Sequence, residues 1–79
     1  MEFFDCVNIR ITVILNGNIN VWGEVQITTD MKLVDVIQLS AKKLKLKHKK
    51  QCRLFDSAGD ELADEDVEYL KTGQVVFIS

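Results

Sequence analysis

The chain of 79 residues contains no proline, one histidine, one tryptophan, one tyrosine and two cysteines. Without proline, repeats or low-complexity stretches there is no linker to divide it, and one domain fills 1–79. Cys6 and Cys52 are too few for a disulfide framework and lack metal-ligand or CxxC spacing. Each reads as a small, partly buried hydrophobe on a strand, with a single Cys6 to Cys52 bridge left open. His48 stands among lysines with no assignable nucleophile or metal partner, so it reads as a solvated surface residue. No stretch approaches the roughly 20 apolar residues of a membrane span. Phe3 and Phe4, flanked by Glu2 and Asp5, do not make a signal peptide. The acidic run from Asp56 to Glu68 lacks the spacing of a calcium loop. These absences lead us to expect a cytoplasmic or nuclear protein that is not an enzyme, with no cofactor, metal or small-molecule ligand.

What is present is the composition of an ordinary globular domain, with 47% hydrophobic and 28% charged residues. A chain this short buries only about 60% of the surface its unfolded form exposes, which leaves little room for a deep catalytic cleft.

Val7, Ile9, Ile11, Val13 and Leu15 alternate with Asn8, Arg10, Thr12 and Ile14, the period of a half-buried strand. Asn16-Gly17-Asn18 follows, a turn that tolerates positive φ, and Ile19, Val21, Val25 and Ile27 predict a second strand with Gly23 as a candidate bulge. Leu33, Ile37, Ala41 and Leu44, supported by Val34, Val36 and Ser40, recur at helical spacing over 30–44, with Thr29 or Asp30 as the cap. Cys52 and Leu54 predict a short third strand, and 57–60 turns the chain into Glu61-Leu62. Asp64 is placed to cap one helical turn bearing Val67 and Leu70, and Gly73 frees the chain to extend over 74–78. The order predicts a hairpin and a helix that cover each other's apolar faces. The closing strand, apolar on both sides, suits a central place beside the first.

The residues that carry a resemblance are 33–44, Arg53-Leu-Phe-Asp-Ser-Ala-Gly-Asp-Glu-Leu62 and Gly73-Gln-Val-Val-Phe-Ile78. Together they resemble the doublecortin-like and KHA-like branch of the ubiquitin superfold. The helix, acidic run and closing strand are also similar to CIDE-N domains. Asp60-Glu61 through Asp64-Glu65-Asp66 resembles the acidic motif of Phox-and-Bem-type dimerisation domains. The resemblance implies an α+β, ubiquitin-like β-grasp fold, a mixed sheet of four to five strands on one main helix. It also implies a non-enzymatic binding module. The chain closes Val-Phe-Ile-Ser79 rather than Gly-Gly, so a conjugated modifier is not expected. We expect it to be the amino-terminal part of a longer protein.

The net charge of −2 conceals a bipolar sequence. Lys42, Lys43, Lys45, Lys47, Lys49, Lys50 and Arg53 hold seven of ten basic residues, and Asp56, Asp60, Glu61, Asp64, Glu65, Asp66 and Glu68 seven of twelve acidic ones. A basic face (42–53) and an acidic face (56–68) predict docking on a partner protein or another copy, head to tail, with charge setting register and encounter more than affinity. Solvated surface runs pairing within one molecule are the plainer reading, and lysines in the last helical turn also complement the helix dipole. Nucleic acid and membrane surfaces fit poorly, because no aromatic residues interleave with the lysines. Two alternatives remain open. One is a cytoskeletal or scaffold module meeting acidic tubulin through the lysines; the other is an apolar patch on the sheet's outer face anchored by Trp22, a residue that could instead pack against Phe3 or Phe4.

Overall fold

The computed structural model describes residues 8–47 and 51–79. Readings that concern Phe3, Phe4, Cys6, Val7, His48, Lys49 and Lys50 lie outside the described residues.

Four strands and one helix follow in the order β1 (Asn8–Leu15), β2 (Asn18–Thr28), α1 (Leu33–Lys43), β3 (Leu54–Phe55) and β4 (Val75–Ile78), with a 3-10 segment at Asp64–Tyr69 before the last strand. The sheet runs β2-β1-β4-β3. β1 pairs antiparallel with β2 and parallel with β4, which pairs antiparallel with β3. The closing strand is therefore central, as its two-sided apolar sequence requires.

Period-2 alternation sends Ile9, Ile11 and Val13 of β1, Val25 and Ile27 of β2, Leu54 of β3, and Val76 and Ile78 of β4 to one face. There they meet Val36 and Ala41 of α1, while Leu62, Val67 and Leu70 close the core below. Each large aliphatic removed from water contributes about 1.5–3 kcal/mol, which is how so small a sheet holds its helix.

Three local expectations are corrected. The first concerns the hairpin, where Leu15 pairs with Asn18 but Ile14 pairs with Trp22, so residues 19–21 bulge from β2. Ile19 is consequently 72% exposed, and Gly23 sits in regular register opposite Val13. Within the turn it is Gly17 that takes the positive φ, 93°.

The second concerns the helix, which starts at Leu33 with Lys32 at its N-cap and no side-chain cap bond from that residue. Neither Thr29 nor Asp30 occupies the cap, because both sit inside the turn 28–31, in which the Met31 N–H donates to the Thr28 carbonyl at 3.1 Å. The third concerns Asp64. Instead of capping its own turn, its Oδ1 accepts from the Leu33 N–H at 3.2 Å and caps α1 from 31 residues away. Ala63 is the N-cap of the 3-10 segment, and the Asp66 carboxylate accepts the Ala63 N–H at 2.8 Å.

Candidate interaction surfaces

α1 ends in a Schellman arrangement, with the Leu46 N–H donating to the Ala41 carbonyl at 2.9 Å and the Lys45 N–H to the Lys42 carbonyl at 3.1 Å. The residue that must turn left-handed in this motif is Lys45, at φ 59°, the only described non-glycine residue with positive φ. Glycine is the usual occupant, and a side chain there costs roughly 1–2 kcal/mol. Lys42, Lys43 and Lys45 all face the edge strand β2.

Between that helix end and β2 runs an open groove of about 780 Å³, lined by Val25 and Leu39, by the three lysines, and by Arg10, Glu24 and Gln26. Gly23 helps to shape it. A Cβ there would stand 3.0 Å from Cγ of Lys43, so the bare backbone is what lets the lysine stem lie across β2. No ion pair neutralises Lys42, Lys43 or Lys45 among the described residues. Lys47 follows, exposed, just beyond the groove's lining.

Arg53 does not join these lysines. It lies next to β3 at the other side of the sheet, and its guanidinium pairs with Glu61 at 2.9 Å. That contact joins the two charge runs within one molecule, and both side chains stay about half exposed, so it contributes little.

The acidic residues gather beyond β3. Asp56, Asp60, Glu61 and Asp66 line a concavity of about 310 Å³ together with Leu62, Leu70 and Tyr69. Several of them also serve the fold. Asp56 Oδ1 accepts from the Ala58 and Asp60 N–H groups, each at 2.9 Å, and Asp64 and Asp66 cap as described. Glu65 and Glu68 are exposed. Since β2 and β3 are the two outermost strands, the lysine groove and the acidic concavity lie at opposite edges of the sheet. No group of three or more His, Cys, Asp or Glu side chains among the described residues could hold a metal ion.

No family model matches the chain, and no curated protein matches it. Solved structures do match. One, described as "Molecular Mimicry of SUMO promotes DNA repair", aligns with 91% of this chain and 90% of its own at a TM-score of 0.71 and 17% identity. The chain has a ubiquitin-like β-grasp fold. At 17% identity the likeness establishes architecture alone. What this β-grasp domain does must be argued from its own surface.

Two features of that surface escape sequence reasoning, and a third, the apolar neighbours of Trp22, escapes it in part. Tyr69 is 71% exposed on the acidic rim, whereas its spacing within 64–70 looks like that of any short helical turn. Lys45 reads as one lysine in a run, and only the backbone reveals its conformation. On the sheet face away from α1, Trp22 is 58% exposed, as the open reading of that residue allowed. It has Ile14 beside it, and Ile14 has Phe77 on its other side; an apolar residue at an otherwise polar β1 position was the available signal.

Proposed function

We propose that this β-grasp domain is a non-catalytic protein-interaction module whose two charged edges dock on complementary charge, joining copies head to tail. The observation that supports the reading best is the placement of an unneutralised lysine groove and a carboxylate-lined concavity at opposite edges of one small sheet. A contact between unlike patches does not use up either patch on the outer copies, so such docking propagates unless rotation closes a ring. Lys42, Lys43 and Lys45 provide the basic side and Lys47 extends it. Asp60, Glu65 and Glu68, with the outward oxygens of Asp56 and Asp66, provide the acidic side. The strained backbone at Lys45 adds support, since a lysine held where glycine is cheaper is the kind of local cost that interaction sites carry.

Sedimentation velocity across protein concentration, at low and high salt, tests the proposal. Growth with concentration that collapses at high salt is expected, because exposed charge pairs are screened once the Debye length falls well below roughly 8 Å. Two charge-reversed variants make the test specific. Lys42→Glu with Lys45→Glu, and Asp60→Lys with Glu65→Lys, should each be monomeric alone and should regain association when mixed, because the intact edges still fit and the two reversed edges complement each other. A monomer at every concentration and salt would overturn head-to-tail docking. Co-sedimentation of that monomer with microtubules would favour the cytoskeletal alternative instead.

A further inference from the structure

In sequence no aromatic residue interleaves with the lysines, but the fold brings one beside them. The Lys43 stem passes over Gly23, where a Cβ would stand 3.0 Å from its Cγ and 3.2 Å from its Cε, and Trp22 is the preceding residue of β2. Trp22 is 58% exposed, and Ile19, thrown out by the bulge at 19–21, is 72% exposed. The hairpin end of the edge strand therefore carries two large apolar side chains, and Lys42, Lys43 and Lys45 lie along its helix side. None of these lysines has an ion-pair partner among the described residues. The carboxylate in the groove's lining, Glu24, is engaged by Arg10 at 4.0 Å.

We propose that the β2 edge docks on the surface of an anionic lipid bilayer, with Trp22 and Ile19 seated in the headgroup layer and the lysines on the lipid anions. Tryptophan favours the membrane–water interface, where its ring meets hydrocarbon and its N–H meets water. An exposed aliphatic beside it reaches towards the acyl chains while cations hold the headgroups. Geometry makes the docking edge-on. Trp22 belongs to the sheet face away from α1 and the lysines come from the helix side, so a flat surface touches both only along the strand between them. Backbone chemistry agrees. Among the described residues β2 is bordered by β1 alone, and its outward N–H and C=O groups find water and phosphate oxygens in the headgroup layer, whereas hydrocarbon would leave them unpaired. Ile19 also disfavours a nucleic acid as the occupant, because Trp22 can stack on a base but an aliphatic side chain has no ring to offer one.

The acidic concavity does not oppose this docking. It lies at the opposite edge of the sheet, three strand spacings or about 14 Å away, beyond the Debye length of about 8 Å at physiological salt. A net charge of −2 thus accompanies a cationic edge, whose partition onto an anionic leaflet gains about fivefold for each lysine that reaches it. Lipid and the acidic edge of another copy would draw on the same lysines. The lipid site does not rest on the head-to-tail reading, however, because Ile19 and Trp22 have no part in that contact.

Co-sedimentation with vesicles of equimolar phosphatidylcholine and phosphatidylserine tests the proposal, and Trp22, the only tryptophan in the chain, reports insertion through its emission. Binding to these vesicles with a blue shift of that emission is expected, and no binding to phosphatidylcholine alone. Ile19→Ser and Trp22→Ser, both at exposed positions, should each lose about five- to tenfold in partition, the scale of a large side chain partly withdrawn from water. Lys42→Glu with Lys45→Glu should abolish binding, whereas Asp60→Lys with Glu65→Lys, at the far edge, should still bind. The proposal is overturned if anionic vesicles are not bound, if neutral vesicles are bound equally, or if Ile19→Ser and Trp22→Ser bind as tightly as the parent. Binding of a single-stranded oligonucleotide in place of vesicles would assign the edge to nucleic acid and overturn it too. A domain that binds vesicles but stays monomeric at every salt sinks the head-to-tail reading alone, and one that self-associates but ignores vesicles sinks this one alone.

Discussion

Replacing Lys45 by glycine should make the domain more stable and its association weaker. In the folded state the substitution removes the cost of a side chain at φ 59°, about 1–2 kcal/mol. In the unfolded state it adds freedom that folding must remove, about 0.4–1 kcal/mol. The remainder spans roughly 0–1.6 kcal/mol of stabilisation, and its midpoint, about 0.8 kcal/mol, corresponds to about 3–6 °C in Tm for a chain of this size. Lys45 has no ion-pair partner among the described residues, so little is lost with the ammonium group. Lys45→Ala is the control, because it removes the same charge and keeps the left-handed strain.

Thermal and urea unfolding of the three proteins give the stability order, expected as Gly above Lys and Lys about equal to Ala. Sedimentation at low salt gives the association order, expected as Lys above Gly and Gly about equal to Ala, by a factor of about two to five for one exposed charge. If Lys45→Gly were no more stable than Lys45→Ala, the left-handed lysine would carry no cost. If both variants associated like the parent, Lys45 would lie outside the contact, and its conformation would need another explanation.

The other predictions concern the fold beneath the surfaces. Asp64→Ala should cost about 1 kcal/mol by uncapping α1, and Asp64→Asn, which keeps an acceptor for the Leu33 N–H, should cost distinctly less; equal losses in urea melts would deny the hydrogen bond its role. Ser40 is fully buried and its hydroxyl has no hydrogen-bond partner among the described residues. Ser40→Ala should therefore stabilise by about 1 kcal/mol, through relief of an unpaired polar group and better helix propensity, and a loss of stability would mean that the hydroxyl has a partner after all.

The elements that were legible in the sequence are those whose signal is periodic. β1 follows from the alternation over 8–13, α1 from the spacing of Leu33, Ile37, Ala41 and Leu44, and the central position of β4 from its apolar residues on both faces. The misses share a physical cause. Asp64 capping α1 is a contact across 31 residues, and composition around Thr29 and Asp30 offered the helix a local cap that the turn over 28–31 denied it. The bulge at 19–21 follows from pairing register, and nothing in Ile19 or Val21 separates a bulged residue from a paired one. Charge was legible as clusters but not as placement. Arg53 belongs by sequence to the lysine run, yet it immediately precedes β3 at the opposite edge of the sheet, where it pairs with Glu61.

Placement also decides which contacts the charged edges can make. The outer edge of β3 is already taken, because residues 60–62 fold back along it: the Leu62 N–H donates to the Leu54 carbonyl at 2.8 Å, and Phe55 bridges to Glu61. Among the described residues β2 is bordered by β1 alone, and an open strand edge invites another strand to pair with it. Two β2 edges pairing across a two-fold axis would bring Lys42, Lys43 and Lys45 of one copy against the same lysines of the other, with no carboxylate run on that side to offset them. The lysines thus guard β2 against its own kind while leaving it attractive to acidic groups. The acidic residues of a neighbouring copy sit on a 3-10 segment and its flanking turn, which cannot add a strand. The head-to-tail contact proposed above would therefore be made by side chains, with few main-chain bonds, which is the kind of contact that salt dissolves. Association that persisted at high salt would point to strand pairing along β2, and would assign the lysines to steering rather than to holding.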